Sequence, residues 1–516
     1  MTDADRRRER LAKRRSERVT QRVTPGVTSY RQLRNPYPPM AQFSEDQIEA
    51  IHQTSLRVLE EVGMRVLFPE ARAIYQAAGG VVDPETMIVR LDRGLVMEAV
   101  AQAPASVTLR GGEVTGDVFI GENSVNFGMV AGPPHVSDLE RGRRPATLAD
   151  FEDLVRLSHT YDVIHMQGSA TEPLDVPVPV RHLAMTYAQT TLSDKPVHVY
   201  SRGKEPVADS HEMVRIVRGL TAEEFVGTPC CFTVINSNSP LQLDVPMSRG
   251  IIDFARAGQL MIMTPFTLAG AMAPVSLAGA LAQQNAEALA GLTLSQLVKT
   301  GAPVMYGAFT SNVDMKSGSP AFGTPEYVKA AWGSGQLARR YGLPWRSSST
   351  NACTVVDAQA AYESQMSLWG AILGGANYLM HAIGWMEGGL TASFEKVIID
   401  VEMCQMFAEL FRPVVVDEAE LAFEAIREVG PAGHFFGVVH TLERYERAFY
   451  SPLVSDWRNY GAWAEDGALN AAQRAHLIWK KALTDYVPPP LADDRRAELD
   501  AFVARRRAEG GGAIDD

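Results

Sequence analysis

DVIHMQGSATEPLDVPVPVRHLAMTYAQTTLSDKPVHVYS, Asp162 to Ser201, contains in one unit the pattern that decides the fold. Two short apolar runs, DVIHMQGS (162–169) and PVHVYS (196–201), flank VRHLAMTYAQTTLS, whose apolar residues fall at helical spacing. Short, nearly continuous apolar runs alternating with amphipathic helices mark parallel strands covered by helices. Working outward, the same kind of run recurs as VNFGMVAG (125–132), CCFTVIN (230–236), LMIMTPF (260–266), PVMYGAF (303–309), PWRSSST (344–350) and NYLMHAIG (377–384). Eight such strands predict an α/β fold of the TIM (β/α)8 barrel kind rather than an open sheet. No GxGxxG follows the first run, so a dinucleotide-binding fold lacks its main signature.

On this reading the barrel occupies 125–425. Residues 1–40, charged and then proline-rich (NPYPPM), form an N-terminal arm. Residues 41–124 form a lead-in of helices and short strands, and 426–516 a C-terminal helical extension. The lead-in opens with SEDQIEAIHQTSLRVLEEVG, where Ser44 and Gln47 make a capping box and Gly63 stops the helix.

Composition narrows the class. With 516 residues, 46% of them hydrophobic, the chain can bury a large core without disulfides. Its four cysteines contain no CxxC pair, which points to a reducing, cytoplasmic location. A net charge of −12 argues against broad nucleic-acid binding, so the basic N-terminus (MTDADRRRERLAKRRSER) reads as a solvated or subunit-contacting tail. The apolar stretch Leu260–Ala282 is broken by Pro265 and Pro274, and no membrane span is expected. Apolar helices and extended termini point to a homo-oligomer.

In a barrel of this kind the site lies at the carboxyl ends of the strands. That rule selects Phe232, Phe266, Tyr306, Phe309, Asn351, Cys353 and Trp385 as substrate-binding candidates, with His381 and Glu387 as catalytic ones. No HExxH or HxC…C spacing is present, so no metal site is expected, and no GxSxG elbow appears. Aromatic faces attract quaternary ammonium groups at about 0.5–2 kcal/mol each. Arg346, borne on a strand, is either an ion-paired residue at the barrel base or a clamp for a substrate carboxylate. His381 reads equally as a core residue or a functional one. Glu387, beside two glycines, either favours a bound cation or caps the next helix.

Long stretches are similar to the trimethylamine methyltransferase (MttB) family, in its branch without pyrrolysine. They are SEDQIEAIHQTSLRVLEEVGMRVL, VSDLERGRRPATLADFEDLVRL, EPLDVPVPVRHLAMTYAQTTLSDKPVHVY and VVDAQAAYESQMSLWGAILGGANYLMHAIGWMEGGLTASFEK, within residues 40 to 410. The resemblance implies a TIM barrel and methyl transfer to the cobalt of a partner corrinoid protein, with no cofactor held tightly by this chain. Pyrrolysine-containing members carry that residue just before the DAQAAYE-like motif. Here the segment is Asn351-Ala352-Cys353-Thr354-Val355-Val356. The run HAIGWMEGGLTASFEK resembles members that demethylate glycine betaine to dimethylglycine, and it implies His381, Trp385 and Glu387 in the pocket. Another betaine or methylamine (proline betaine, carnitine, trimethylamine) and a non-catalytic betaine-binding barrel are the competing expectations.

Overall fold

The computed structural model describes residues 30–514. Most of the charged N-terminal arm, residues 1–29, and its expected role as a tail lie outside the described residues.

Seven of the expected runs form strands: β1 (Ser124–Met129), β2 (Val197–His198), β3 (Cys231–Ile235), β4 (Leu260–Met263), β5 (Val304–Gly307), β6 (Trp345–Ser348) and β7 (Tyr378–Ile383). They pair in parallel, each with its sequence neighbour from β2 through β7, and β7 pairs with β1. Leu33–Arg34 adds antiparallel to the outset of β1. The run at 162–169 differs from expectation, making a single parallel bridge, Met166 to Gly128. The Gln167 amide also donates to the Pro196 carbonyl at 3.3 Å. Pro196 has no N–H to return, so the ladder between 165–167 and β2 stays short.

The sheet curls because every strand twists and both faces are covered. Its outer face carries α1 (Leu148–Thr160), α2 (Val178–Thr191), α3 (Lys204–Arg218), α4 (Val245–Ala257), α5 (Leu277–Val298), α6 (Pro325–Arg340), α7 (Ala358–Leu373) and α8 (Phe394–Leu410). Inward-facing side chains at alternate positions, among them Met166, Phe232, Leu260, Ile262, Met305 and Tyr378, form one packed layer. The hairpin of Val107–Leu109 and Val118–Ile120 closes that layer from below.

The lead-in begins with a helix at Glu45–Arg57 capped by the expected Ser44–Gln47 box. Past α8, helices at Ala471–Thr484 and Asp493–Ala508 return to the body, the first stacking Trp479 on Phe394 at 4.8 Å. Among the described residues, no helix is long and apolar enough to cross a membrane.

Candidate active site

Two small sheets stand on the carboxyl ends of the strands. Phe266–Ala269 pairs in parallel with Phe309–Val313, setting Phe266 opposite Phe309 with ring centroids 5.0 Å apart. Trp385–Met386 pairs with Thr391–Ser393, which continues onto the hairpin His135–Asp138 and Gly142–Pro145. Where the two sheets meet, rings gather around Phe309: Phe322 at 5.5 Å, Trp385 at 6.2 Å, His381 at 6.3 Å and Tyr327 at 6.4 Å.

His381 owes its place to a backbone irregularity. The pairing of β7 with β1 shifts register between Leu379 and Ile383, and His381 sits within the shift at φ +59°. A bulge of this kind re-aims one side chain, and the left-handed conformation of a non-glycine residue costs about 1–3 kcal/mol. Nδ1 of His381 accepts the Ala131 amide at 3.2 Å, which assigns the remaining proton of the neutral ring to Nε2. Burial, helped by the Arg346 charge, holds this imidazole well below its ordinary range, so it is neutral at physiological pH. Its ring lies 4.2 Å from Trp385.

Trp385 is clamped from both sides. Its indole Nε1 donates to the Asn351 carbonyl at 3.2 Å, and the Asn351 amide donates to the Trp385 carbonyl at 2.7 Å. The same amide donates to Ser364 Oγ at 3.0 Å. Ser364 Oγ in turn accepts from Lys396, which is ion-paired with Asp400 in the interior. Asp400 also accepts the Gly384 amide at 2.8 Å, fixing the turn before Trp385. Gly389 admits the indole, since a Cβ there would lie 2.5 Å from its edge.

Arg346 is the unusual charge. It is 1% exposed on β6, its guanidinium 5.6 Å from the Phe309 ring centroid. Among the described residues neither Nε nor Nη1 finds a hydrogen-bond partner, and neither does the Tyr378 hydroxyl or His198 Nε2 nearby. Burial lowers the guanidinium to about 10, still charged at neutral pH, and burial with the Arg346 field lowers His198 to about 3. Buried charges are ordinarily paired. The expected ion pair at the barrel base is not what the structure shows.

Several candidates stand elsewhere. Tyr306 points at the helix layer, accepting from Gln284 and donating to Asn285 on α5, because strand alternation turns Met305 rather than Tyr306 inward. Phe232 packs in the interior layer, edge-on to Tyr378 at 5.7 Å, rather than in the ring cluster. Cys353 donates its thiol to Asn351 at 2.9 Å, and burial raises that thiol to about 12, leaving no ready thiolate. Glu387 lies at the rim in an ion pair with Arg143 at 2.9 Å, so its carboxylate is engaged. Phe322, Tyr327 and the Lys396–Asp400 pair are additional members of the site. Only the last carried a signal in sequence, an acid and a base four apart inside an apolar helix. Among the described residues no group of three or more His, Cys, Asp or Glu could hold a metal ion.

Among the described residues the arrangement offers rings for a cation, a buried cation without an ion-pair partner for an anion, and no thiolate or free carboxylate. The family model for trimethylamine methyltransferase (MTTB) matches residues 5–511. A glycine betaine methyltransferase from Desulfitobacterium hafniense (strain Y51) is 38% identical over 91% of this chain and 98% of its own length. Trimethylamine methyltransferase MttB from D. hafniense (strain DSM 10664 / DCB-2) is 31% identical over 92% and 95%. The crystal structure of the Methanosarcina barkeri monomethylamine methyltransferase (MtmB) superposes with a TM-score of 0.44 at 11% identity, over 91% of this chain and 96% of that one. The chain belongs to the trimethylamine methyltransferase (MTTB) family and is a methyltransferase of that type.

Proposed function

We propose that this enzyme takes one methyl group from a betaine, glycine betaine first among them, and hands it to the Co(I) of a partner corrinoid protein. The observation that carries the reading is Arg346, a buried guanidinium without an anion beside a cluster of aromatic rings. A molecule with both a quaternary ammonium and a carboxylate satisfies the two halves at once, the rings by cation–π attraction and Arg346 by charge-assisted hydrogen bonds. The glycine betaine methyltransferase among the relatives supports the same substrate class. We further assign the fold as a closed (β/α)8 barrel, joined by the bridge at Met166 and the hydrogen bond from Gln167 to Pro196.

The reduced corrinoid of the partner supplies the nucleophile. This chain binds the zwitterion, excludes water with Phe309, Phe322 and Trp385, and directs one N–methyl group outward, in line with the breaking C–N bond. The bond electrons leave with nitrogen, giving dimethylglycine as its carboxylate with a neutral tertiary amine. No proton moves, which suits a neutral His381 and an un-ionised Cys353. Enzyme, cognate corrinoid protein and reductant will consume Co(I) absorbance and form dimethylglycine from glycine betaine. Turnover of trimethylamine with no betaine accepted overturns the reading.

A further inference from the structure

The segment after α8 behaves unlike the rest of the chain. Six aromatic residues spread over it, Phe423, Phe436, Tyr445, Phe449, Trp457 and Tyr460, are each between 61% and 85% exposed. The run Val414–Val416 and Leu421, Ile426, Val439 and Leu442 are exposed as well. Polar contacts give the segment little hold on the body. Arg444 pairs with Glu420 and Glu443, Arg427 with Glu424, and Tyr445 with Glu446, all within the segment. Among the described residues its hydrogen bonds to the body gather at its end, where Glu402 accepts the Val454 and Ser455 amides.

At roughly 200 Å² per aromatic side chain, the six rings leave about 900 Å² of apolar surface in water. The largest apolar patch on an ordinary monomer is about 300–600 Å². One partner's share of a standard stable interface is about 800 Å². We propose that residues 414–460 are the interface between copies of this chain, their rings buried against a second subunit. The segment carries both halves of a self-complementary contact. Phe423 and Phe436 project from it, while Tyr445, Phe449, Tyr450 and Trp457 line a groove of about 450 Å³. A patch that matches itself is what a two-fold dimer requires. Permanent interfaces are also the more apolar ones, whereas a partner that must dock and leave at each turnover meets a more polar surface. The alternative cover within the chain, residues 1–29, has nine Lys or Arg and only five residues of Met, Leu or Val, too little apolar surface for the task.

Light scattering on the 516-residue chain will give a multiple of 56.3 kDa. Phe436→Asp with Phe449→Asp will weaken subunit association at least about 100-fold, the scale on which losing buried aromatic anchors acts. Far-UV circular dichroism will stay that of wild type, because both side chains are exposed within the subunit. The milder Phe436→Ser with Phe449→Ser will shift the mass in the same direction. A wild-type protein that runs as a monomer overturns the inference, as does an oligomer whose mass neither pair of substitutions changes. Loss of corrinoid-protein binding at unchanged subunit mass would reassign the surface to that partner and also overturns it.

Discussion

Replacing Arg346 with methionine tests whether the unpartnered guanidinium exists for the substrate. Methionine keeps the length and apolar stem of the side chain and removes its charge. Because Arg346 is 1% exposed with two nitrogens unsatisfied, its burial opposes folding, and the Phe309 face at 5.6 Å returns only about 0.5–2 kcal/mol of that. An uncompensated buried charge costs several kcal/mol, so Arg346→Met should unfold at a higher temperature than wild type. Activity should move the other way. A carboxylate held by two charge-assisted hydrogen bonds gains about 1.5–3 kcal/mol from each, so kcat/KM for glycine betaine should fall roughly 10²- to 10⁴-fold. Most of the loss should appear in KM if the clamp holds ground state and transition state alike. The assay is loss of Co(I) absorbance with the corrinoid protein present, run beside thermal unfolding. A variant less stable than wild type, or one within about threefold of wild-type kcat/KM, refutes the reasoning.

The clamp on Trp385 should be felt in binding. Asn351→Ala leaves the Trp385 carbonyl without its donor and should cost about 1–3 kcal/mol of stability while raising KM for the betaine. Lys396→Met strands the Asp400 carboxylate, and its larger loss, about 3–5 kcal/mol, should come with the same rise in KM. An unchanged KM in both variants would remove this network from the site. Acid should destabilise the fold through its buried histidines. Burial lowers His165 and His211 to about 4 and His198 to about 3, against an ordinary value of 6.5. Between pH 6.5 and 4 the unfolded chain therefore takes up protons that the folded chain refuses, and each site removes about 1.4 kcal/mol per pH unit as pH falls. His211, packed between Phe225 and Phe254, gives the cleanest check, since His211→Leu should flatten the stability slope in that window by about one proton. An identical slope would rule out His211 as a contributor.

The strands were legible because each is a compact apolar run between amphipathic helices, a signal that survives without tertiary knowledge. The run 162–169 misled because it has the composition of a strand, while the proline opening the next run removes the donor a ladder needs. Tyr306 and Phe232 show a different failure. Both lie near strand ends, but which neighbour faces the rings depends on parity and depth along the strand, and composition carries neither. His381 was legible as a histidine in an apolar run, yet the bulge that turns it at φ +59° leaves no mark in sequence. Phe322 follows a two-residue strand in a turn and reaches the cluster only through tertiary packing. Exposed rings after Val414 look in sequence like any helical core, since hydrophobicity does not say which molecule will cover it.

The same desolvation that neutralises His381 bears on which nitrogen this site accepts. A tertiary amine is attracted to aromatic faces only while protonated, and burial beside the Arg346 charge favours the neutral form of any titratable base. Burial, with the Arg346 charge adding to it, holds two imidazoles, His198 and His381, far below their ordinary range. A bound tertiary ammonium would be pushed toward losing its proton in the same way, and with it the cation–π attraction and the activation of its methyl groups. A quaternary nitrogen has no proton to lose. Its charge persists at any depth, and a carboxylate on the same molecule turns Arg346 from an opposing charge into a partner. Burial that works against protonated bases thus supports the proposed betaine over a protonated amine as substrate.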